Sequence, residues 1–299
     1  EEAERLADKV KGKEGVITQA DKARKHKLPP AAYDLTELQR DANKKFAYSA
    51  KETLAIMQSL YERHKVLTYP RTDSRYITDD IVETLPERLK SVNFGEYSQI
   101  VGELLRKKPL NTRYIVNNAK VTDHHAIIPT EEPPDLLRMT GPERNIYELV
   151  VRRFLAVLMS PFEYEEIKLK LTIEGEVFTA KGKRVLEQGW HRVYDTLLQD
   201  DEEEEEEKEQ NLPAVEEGER IKTFDSMVKM GKTRPPARYT EATLLSAMEH
   251  PGGQIKDAEL SKVLEQTSGL GTPATRAEII ERLFSAFYCE RRGKEIVPT

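Results

Sequence analysis

The sequence has little of what builds covalent or membrane scaffolds. Among 299 residues there is one cysteine, Cys289. This excludes a disulfide framework and a cysteine-rich zinc site within the chain, and it fits a reducing, cytoplasmic setting. No apolar run approaches the roughly 18 residues that a membrane helix needs, so no membrane partner is expected. No secretory leader is present: the chain opens on EEAERLADKVK without methionine, which reads as an internal cut in a longer protein. No glycine-rich phosphate loop is present either, which argues against nucleotide-driven chemistry here. What remains is a chain 33% charged and 38% hydrophobic, long enough for two or three domains.

The net charge of −6 hides an uneven distribution. Residues 200–209, DDEEEEEEKE, carry nine acids and one lysine, so the rest of the chain is slightly basic, at +2. That run is expected to be a disordered loop between strands. Residues 22–75 hold twelve Lys/Arg against six Asp/Glu. A local excess of that kind suits a polyanion partner, although a solvated surface has the same composition.

Periodicity divides the chain. Residues 12–20 read as a short strand, and KARKHKLPPAAYDL as a proline-broken linker. Apolar residues at helical spacing follow: Leu35, Leu38, Ala42 and Phe46, then Ile56, Met57, Leu60 and Tyr61 behind a capping box at Ser49 and Glu52. Thr78 is expected to cap a further helix that kinks or ends at Pro86. Thr140, Pro142 and Glu143 open a long helix that stops before Pro161. The period then changes to two in YEEIKLKLTIEGEVFTAKG, a hairpin turning at Glu174-Gly175. More strand is expected in RIKTFDSMVKM. Helices capped by Thr240 and by Thr272 with Pro273 follow, then a hairpin at RRGK, a winged-helix-like ending. The fold class is α+β, with a helical block inserted between β segments that belong to one domain.

The segment LTYPRTDSRYI, residues 67–77, carries the most chemistry. Pro70 pushes Tyr69 out of the helical region into an extended or bent backbone. A tyrosine there is either a core aromatic or a nucleophile. Arg71 and Arg75 offer forked donors suited to phosphate, and Thr72 and Ser74 add hydroxyls. A phenol with pKa about 10 is a weak nucleophile at neutral pH, and guanidinium groups favour its ionised form. They also stabilise charge on a pentacovalent phosphorus. No strong base accompanies the motif. In DHHAIIPT, residues 123–130, two adjacent histidines cannot share one face of a strand. That argues against a histidine-metal relaxase, and leaves one histidine free to reach a phosphate while the other packs.

These two motifs, with ELQRDANKKF, PPARYTEATLLSAME and GLGTPATRAEIIERL in the same order, resemble the type IA DNA topoisomerases. The first two are most similar to the bacterial topoisomerase III branch, with topoisomerase I as the near alternative. The resemblance spans nearly the whole chain. It implies a nucleophile at Tyr69 that stays joined to a 5′ phosphate, with Arg71 positioning the scissile phosphate. His124 is implied to contact DNA near the cut. Tyr239, Thr240 and Glu241 fall in a P-A-R-[YF]-T-E element. Thr272, Thr275 and Arg276 lie at a helix start that binds single-stranded DNA, where free amides favour phosphate. Tyr239 and Arg75 are also expected to be DNA-binding.

The same resemblance implies a β-rich arch domain (residues 1–28 with 164–236), a helical domain carrying the tyrosine (29–163), and part of a helical base domain (237–299). It implies an isomerase reaction that breaks and rejoins one strand without ATP, for relaxation or decatenation. The family's Mg²⁺ is held by an N-terminal TOPRIM domain. No strand with a D-x-D element occurs in this sequence, so no metal site is expected in the chain. The chain is therefore expected to be the middle of such an enzyme, with single-stranded DNA and the TOPRIM domain as partners. Alone it is expected to bind DNA without cutting it, a binding module in its own right.

Overall fold

A computed structural model describes residues 1–195, 212, 215–233, 235–254, 258–265 and 269–299. The acidic run 200–209 lies outside the described residues. After a first helix, strand and helix blocks follow one another along the chain, which closes on a two-stranded hairpin. Helix α1 (Glu2–Val10) and strand β1 (Glu14–Lys27) come first, then α2 (Leu35–Phe46), α3 (Ala50–Glu62), α4 (Leu85–Ser91), α5 (Ser98–Arg106) and α6 (Gly141–Val157). Strands β2 (Phe162–Ile173) and β3 (Glu176–Glu187), the short α7 (Arg192–Asp195) and β4 (Arg220–Lys222) follow. The chain ends with α8 (Glu241–Glu249), α9 (Ala258–Glu265), α10 (Pro273–Ser285), β5 (Cys289–Arg292) and β6 (Glu295–Pro298). Two compact units result, one from residues 1–28 with 160–235 and one from residues 29–159 with 236–299.

The first unit is an antiparallel sheet in the order β3-β2-β1-β4. The β2–β3 hairpin turns at Glu174 and Gly175, whose φ values of 49° and 80° are those of a type I′ turn. Its core gathers Ile17, Ile167, Leu169 and Val215. Strand β1 is longer than expected: it runs to Lys27 and takes in the basic stretch read above as a linker. The reason is cross-strand. Lys22, Ala23, Arg24 and Lys25 pair with Ile167, Glu166, Glu165 and Tyr164, and Lys25 Nζ meets Glu166 Oε1 at 2.9 Å. An acidic strand thus compensates a basic one. The strand expected in RIKTFDSMVKM stops after Lys222, because only Arg220, Ile221 and Lys222 find ladder partners on β1.

The second unit is helical. Helix α6 is buried along most of its length, from Ile146 to Val157, which leaves it at the centre of this unit's core. Its N-terminus has the full capping box: Thr140 N–H donates to Glu143 Oε2 at 2.7 Å and Glu143 N–H to Thr140 Oγ1 at 3.3 Å. Asp34 and Ser49 cap α2 and α3 by accepting from Glu37 N–H and Glu52 N–H. Around Pro86 the outcome differs from expectation. Residues 79–84 form a 3₁₀ segment with no hydrogen bond to the Thr78 side chain, and Pro86 lies in the first turn of α4. A proline without an amide proton is tolerated there, where that proton has no helical acceptor.

Residues 236–299 pack into this helical unit. Ala50, Leu245, Met248, Ala277 and Ile280 form a buried cluster. Buried Glu241 accepts from Ala50 N–H at 2.8 Å and from Arg291 Nε at 2.8 Å, tying α8 to α3 and to the terminal hairpin.

Candidate active site

The tyrosine segment is held by a short irregular ladder. Leu67 bridges Pro129, Thr68 N–H donates to Ile128 O at 3.1 Å, and Thr130 N–H donates to Val66 O at 3.0 Å. The Thr68 hydroxyl donates to Ala126 O and accepts from Ile128 N–H, both at 3.0 Å. Past the bend, Thr72 Oγ1 donates to His124 O at 3.0 Å and Ala126 N–H donates to Tyr76 O at 2.8 Å. Motifs about 55 residues apart in sequence therefore form one structure, with buried Pro70 at the bend between them.

At that bend the Tyr69 ring lies between two others. Its centroid is 4.2 Å from His124, tilted by 35°, and 5.6 Å from Tyr61, which meets it edge-on. The ring is half-buried, and its hydroxyl has no hydrogen-bond partner among the described residues. Arg71 is exposed and forms no ion pair among the described residues. A phenol oxygen and a guanidinium two residues apart are thus both open to an incoming anion.

Other residues of the motif serve the scaffold. Thr72 and Ser74, read above as phosphate donors, are buried. Ser74 Oγ donates to Lys120 O at 2.8 Å, and Ser74 N–H donates to Thr72 Oγ1 at 3.0 Å. Their hydroxyls satisfy backbone groups that the bend leaves without ladder partners. Arg75 is committed too: Nε donates to Asp34 Oδ2 at 2.6 Å and Nη2 to Glu37 Oε2 at 3.3 Å. Burial pushes the Asp34 carboxyl up, against the pull of Arg75, Arg40 and Arg276. The adjacent histidines have different surroundings. His124 is exposed, whereas His125 is half-buried with Nδ1 2.8 Å from Ala126 O. Burial holds the His125 imidazole below its ordinary range.

The second set of expected contacts lies at the start of α10. Gly271, with φ of 71°, turns the chain, and a Cβ there would sit 2.8 Å from Ile279 Cδ1. Thr272 and Thr275 are exposed, with Thr272 N–H donating to Thr275 Oγ1 at 2.8 Å. Arg276 is different. It is only 2% exposed; Nη1 donates to Thr36 Oγ1 at 3.1 Å and lies 3.6 Å from Glu249 Oε1. Arg276, expected to meet DNA, here fastens α10 to α2 through its guanidinium. Tyr239 is exposed beside the Thr240 cap, and its carbonyl accepts from Ile296 N–H at 2.6 Å.

Sequence reasoning missed the partners. Tyr61 was read as part of a core stripe, yet it is 38% exposed and abuts the Tyr69 ring. The pairing of the acceptors Asp34, Glu37 and Glu249 with Arg40, Arg75 and Arg276 had no local signal in the sequence. Among the described residues no group of three or more His, Cys, Asp or Glu could hold a metal ion. The described residues therefore offer no set of donors that fits Mg²⁺.

A half-buried tyrosine and an exposed arginine, unpaired among the described residues, thus stand two positions apart at a proline bend of the helical unit. Comparison with known proteins makes the class specific. The family model for DNA topoisomerase matches residues 1–299. A DNA topoisomerase 3 from Bacillus cereus is 52% identical over 94% of this chain and 39% of its own length. That from Bacillus subtilis is 50% identical over 99% of this chain and 41% of its own. Among solved structures, full-length topoisomerase I from Thermotoga maritima superposes with a TM-score of 0.72 at 26% identity, over 99% of this chain and 45% of that one. The chain belongs to the DNA topoisomerase family, to its type IA branch, and is similar to bacterial topoisomerase 3. It spans about two fifths of the length of these curated relatives.

Proposed function

We propose that Tyr69 is the nucleophile with which the full protein opens one DNA strand. The observation that carries this reading is the presentation of Tyr69, whose ring is gripped by Tyr61 and His124 while its hydroxyl stays unpartnered among the described residues, two positions before the exposed Arg71. The phenol oxygen attacks a backbone phosphorus; a P–Oη bond forms and the bond from phosphorus to the 3′ oxygen breaks. The phosphate stays on the 5′ side, and the phenol proton ends on the released 3′ hydroxyl. One ester replaces another, so resealing is the reverse step and needs no ATP. Arg71 orients the phosphate and balances charge in the transition state. His124, Tyr239, Thr272 and Thr275 are exposed groups that would track the strand.

The domain roles follow from family resemblance: the sheet unit as arch, residues 29–163 as the moving tyrosine domain, and 237–299 as part of the base from which it separates to pass a strand. The family resemblance implies relaxation or decatenation of DNA as the parent activity. No described residues suit Mg²⁺, so no step is routed through a metal in this chain; the resemblance assigns it to a TOPRIM domain. For the same reason, and because the Tyr69 hydroxyl has no hydrogen-bond partner among the described residues, this chain alone is expected to bind single-stranded DNA without cutting it.

The test uses labelled single-stranded DNA for the adduct and a supercoiled plasmid for the linking number, with the full-length protein and with Tyr69→Phe. A covalent protein–DNA adduct and a change in linking number are expected from the first and from neither assay with the second. A Tyr69→Phe protein that still changes linking number ends the assignment. An adduct formed by residues 1–299 alone ends the binding-only reading and leaves the nucleophile intact.

A further inference from the structure

Within the helical unit, a cavity of about 560 Å³ opens between α4 and the end of α5. It shares no residue with the tyrosine site. One wall is Val82, Pro86 and Lys90, spaced four apart and so recurring along one side of the 3₁₀–α4 segment. Buried Leu85, Arg88 and Leu89 occupy the other side of that segment. The facing wall is Leu105 and the turn 107–112. The volume falls in the usual range for ligand pockets of about 300–1,000 Å³.

The chemistry of the lining narrows the occupant. No aromatic ring is available to stack a base, and Thr112 supplies the one side-chain hydroxyl. The lining is otherwise apolar apart from the exposed Lys90, Lys107 and Lys108, with Arg106 and Arg113 adjacent in sequence. Lys90 pairs with Glu87 at 2.6 Å. Lys107 and Lys108 are exposed and make no ion pair among the described residues. Cations at the end of α5 complement its carbonyl end, which accounts for Arg106 and Lys107. Lys108 lies past the turn and has no such reason. A DNA backbone would satisfy the lysines but leave the apolar walls uncovered. A peptide with carboxylates on both sides of one large apolar side chain satisfies both.

We infer that this cavity is a docking site for an acidic peptide of a partner protein, which inserts one large apolar side chain while its carboxylates face Lys107 and Lys108. The inference does not depend on the role of Tyr69.

The probe is a fluorescein-labelled peptide of eight aspartates with one phenylalanine at its centre, titrated into the full-length protein and followed by anisotropy. Saturable binding is expected. It should weaken about ten-fold when the phenylalanine is replaced by alanine, and about ten-fold again in Lys107→Glu/Lys108→Glu. Both lysines are exposed, so the variant should keep its melting temperature and its affinity for a dT oligomer. Absence of saturation overturns the proposal. So does equal binding of the alanine peptide, which would reduce the interaction to charge. An equal loss of dT binding in the lysine variant also overturns it, by giving this face to the DNA path.

Discussion

At the proline bend the hydroxyl of Tyr69 and the guanidinium of Arg71 meet solvent. Where α8 and α10 pack on α2, Arg40, Arg75 and Arg276 are shared among Asp34, Glu37 and Glu249. Arg40 contacts Glu37 and lies 3.1 Å from Glu249 Oε2, and Arg276 reaches the other oxygen of Glu249. Arg71 and Arg75 sit four residues apart in one motif and have opposite surroundings. A conspicuous arginine is thus no guide to function until its acceptors are known. An arginine kept for a substrate is left unpaired, and one kept for the fold is buried with its counter-charge, because an unpaired buried guanidinium is expensive.

The largest effects should come from the open end. Arg71→Ala should lower the rate of adduct formation by about 10²–10³-fold, the usual loss for one transition-state donor. Its melting temperature should not move, since no partner is left behind. Arg75→Ala should do the reverse: a stability loss of about 1–3 kcal/mol from the unpaired Asp34, with a smaller rate effect. Equal rate losses with unchanged stability would erase the distinction between the two arginines.

Arg276→Met probes the closed end. The methionine keeps much of the bulk, but Thr36 loses its partner and Glu249 is left with Arg40. Removing one member of a buried pair costs about 3–5 kcal/mol, measurable as a lower urea midpoint with unchanged slope. A variant of normal stability that binds single-stranded DNA less tightly would restore Arg276 to the DNA surface.

Glu143 extends the comparison to pH. Burial raises its carboxyl, but hydrogen bonds from Ser59 and Thr140 and the charge of Arg63 outweigh this and hold it at about 2, against an ordinary 4.5. The folded value is depressed, so its stabilisation is whole above about pH 4.5 and is lost as pH falls toward 2. Glu143→Gln should flatten that acid limb by on the order of 2 kcal/mol. An acid limb of unchanged slope in the variant would place the titrating group elsewhere.

How much could be read beforehand follows from the range of the interaction responsible. The caps at Ser49, Thr140 and Thr240 and the turn at Glu174-Gly175 depend on residues within three or four positions, so they stand in the sequence. Tyr69 and Arg71 stood out because Pro70 acts on its immediate neighbour. The structural duties of Thr72, Ser74 and Arg276 did not. Arg276 meets Thr36 across 240 positions, and no local pattern encodes that. Local rules likewise ended β1 early, because the acids that extend it lie about 140 residues away on β2.

That extension supplies the smallest test. Lys25 and Glu166 are 2.9 Å apart at the surface of the sheet unit, with the lysine side chain 44% exposed. Exposed pairs contribute about 0.2–1 kcal/mol, and salt screens them. Lys25→Gln should therefore cost no more than about 0.5 kcal/mol, and the difference should vanish near 1 M NaCl. The strand should survive it, because the backbone ladder from Gly15 to Lys27 supplies most of the attachment. Loss of hydrogen-exchange protection along residues 22–27 in the variant would mean that charge, rather than the ladder, holds this end of β1, and the sheet would then rely on paired charge as heavily as the junction of α2, α8 and α10.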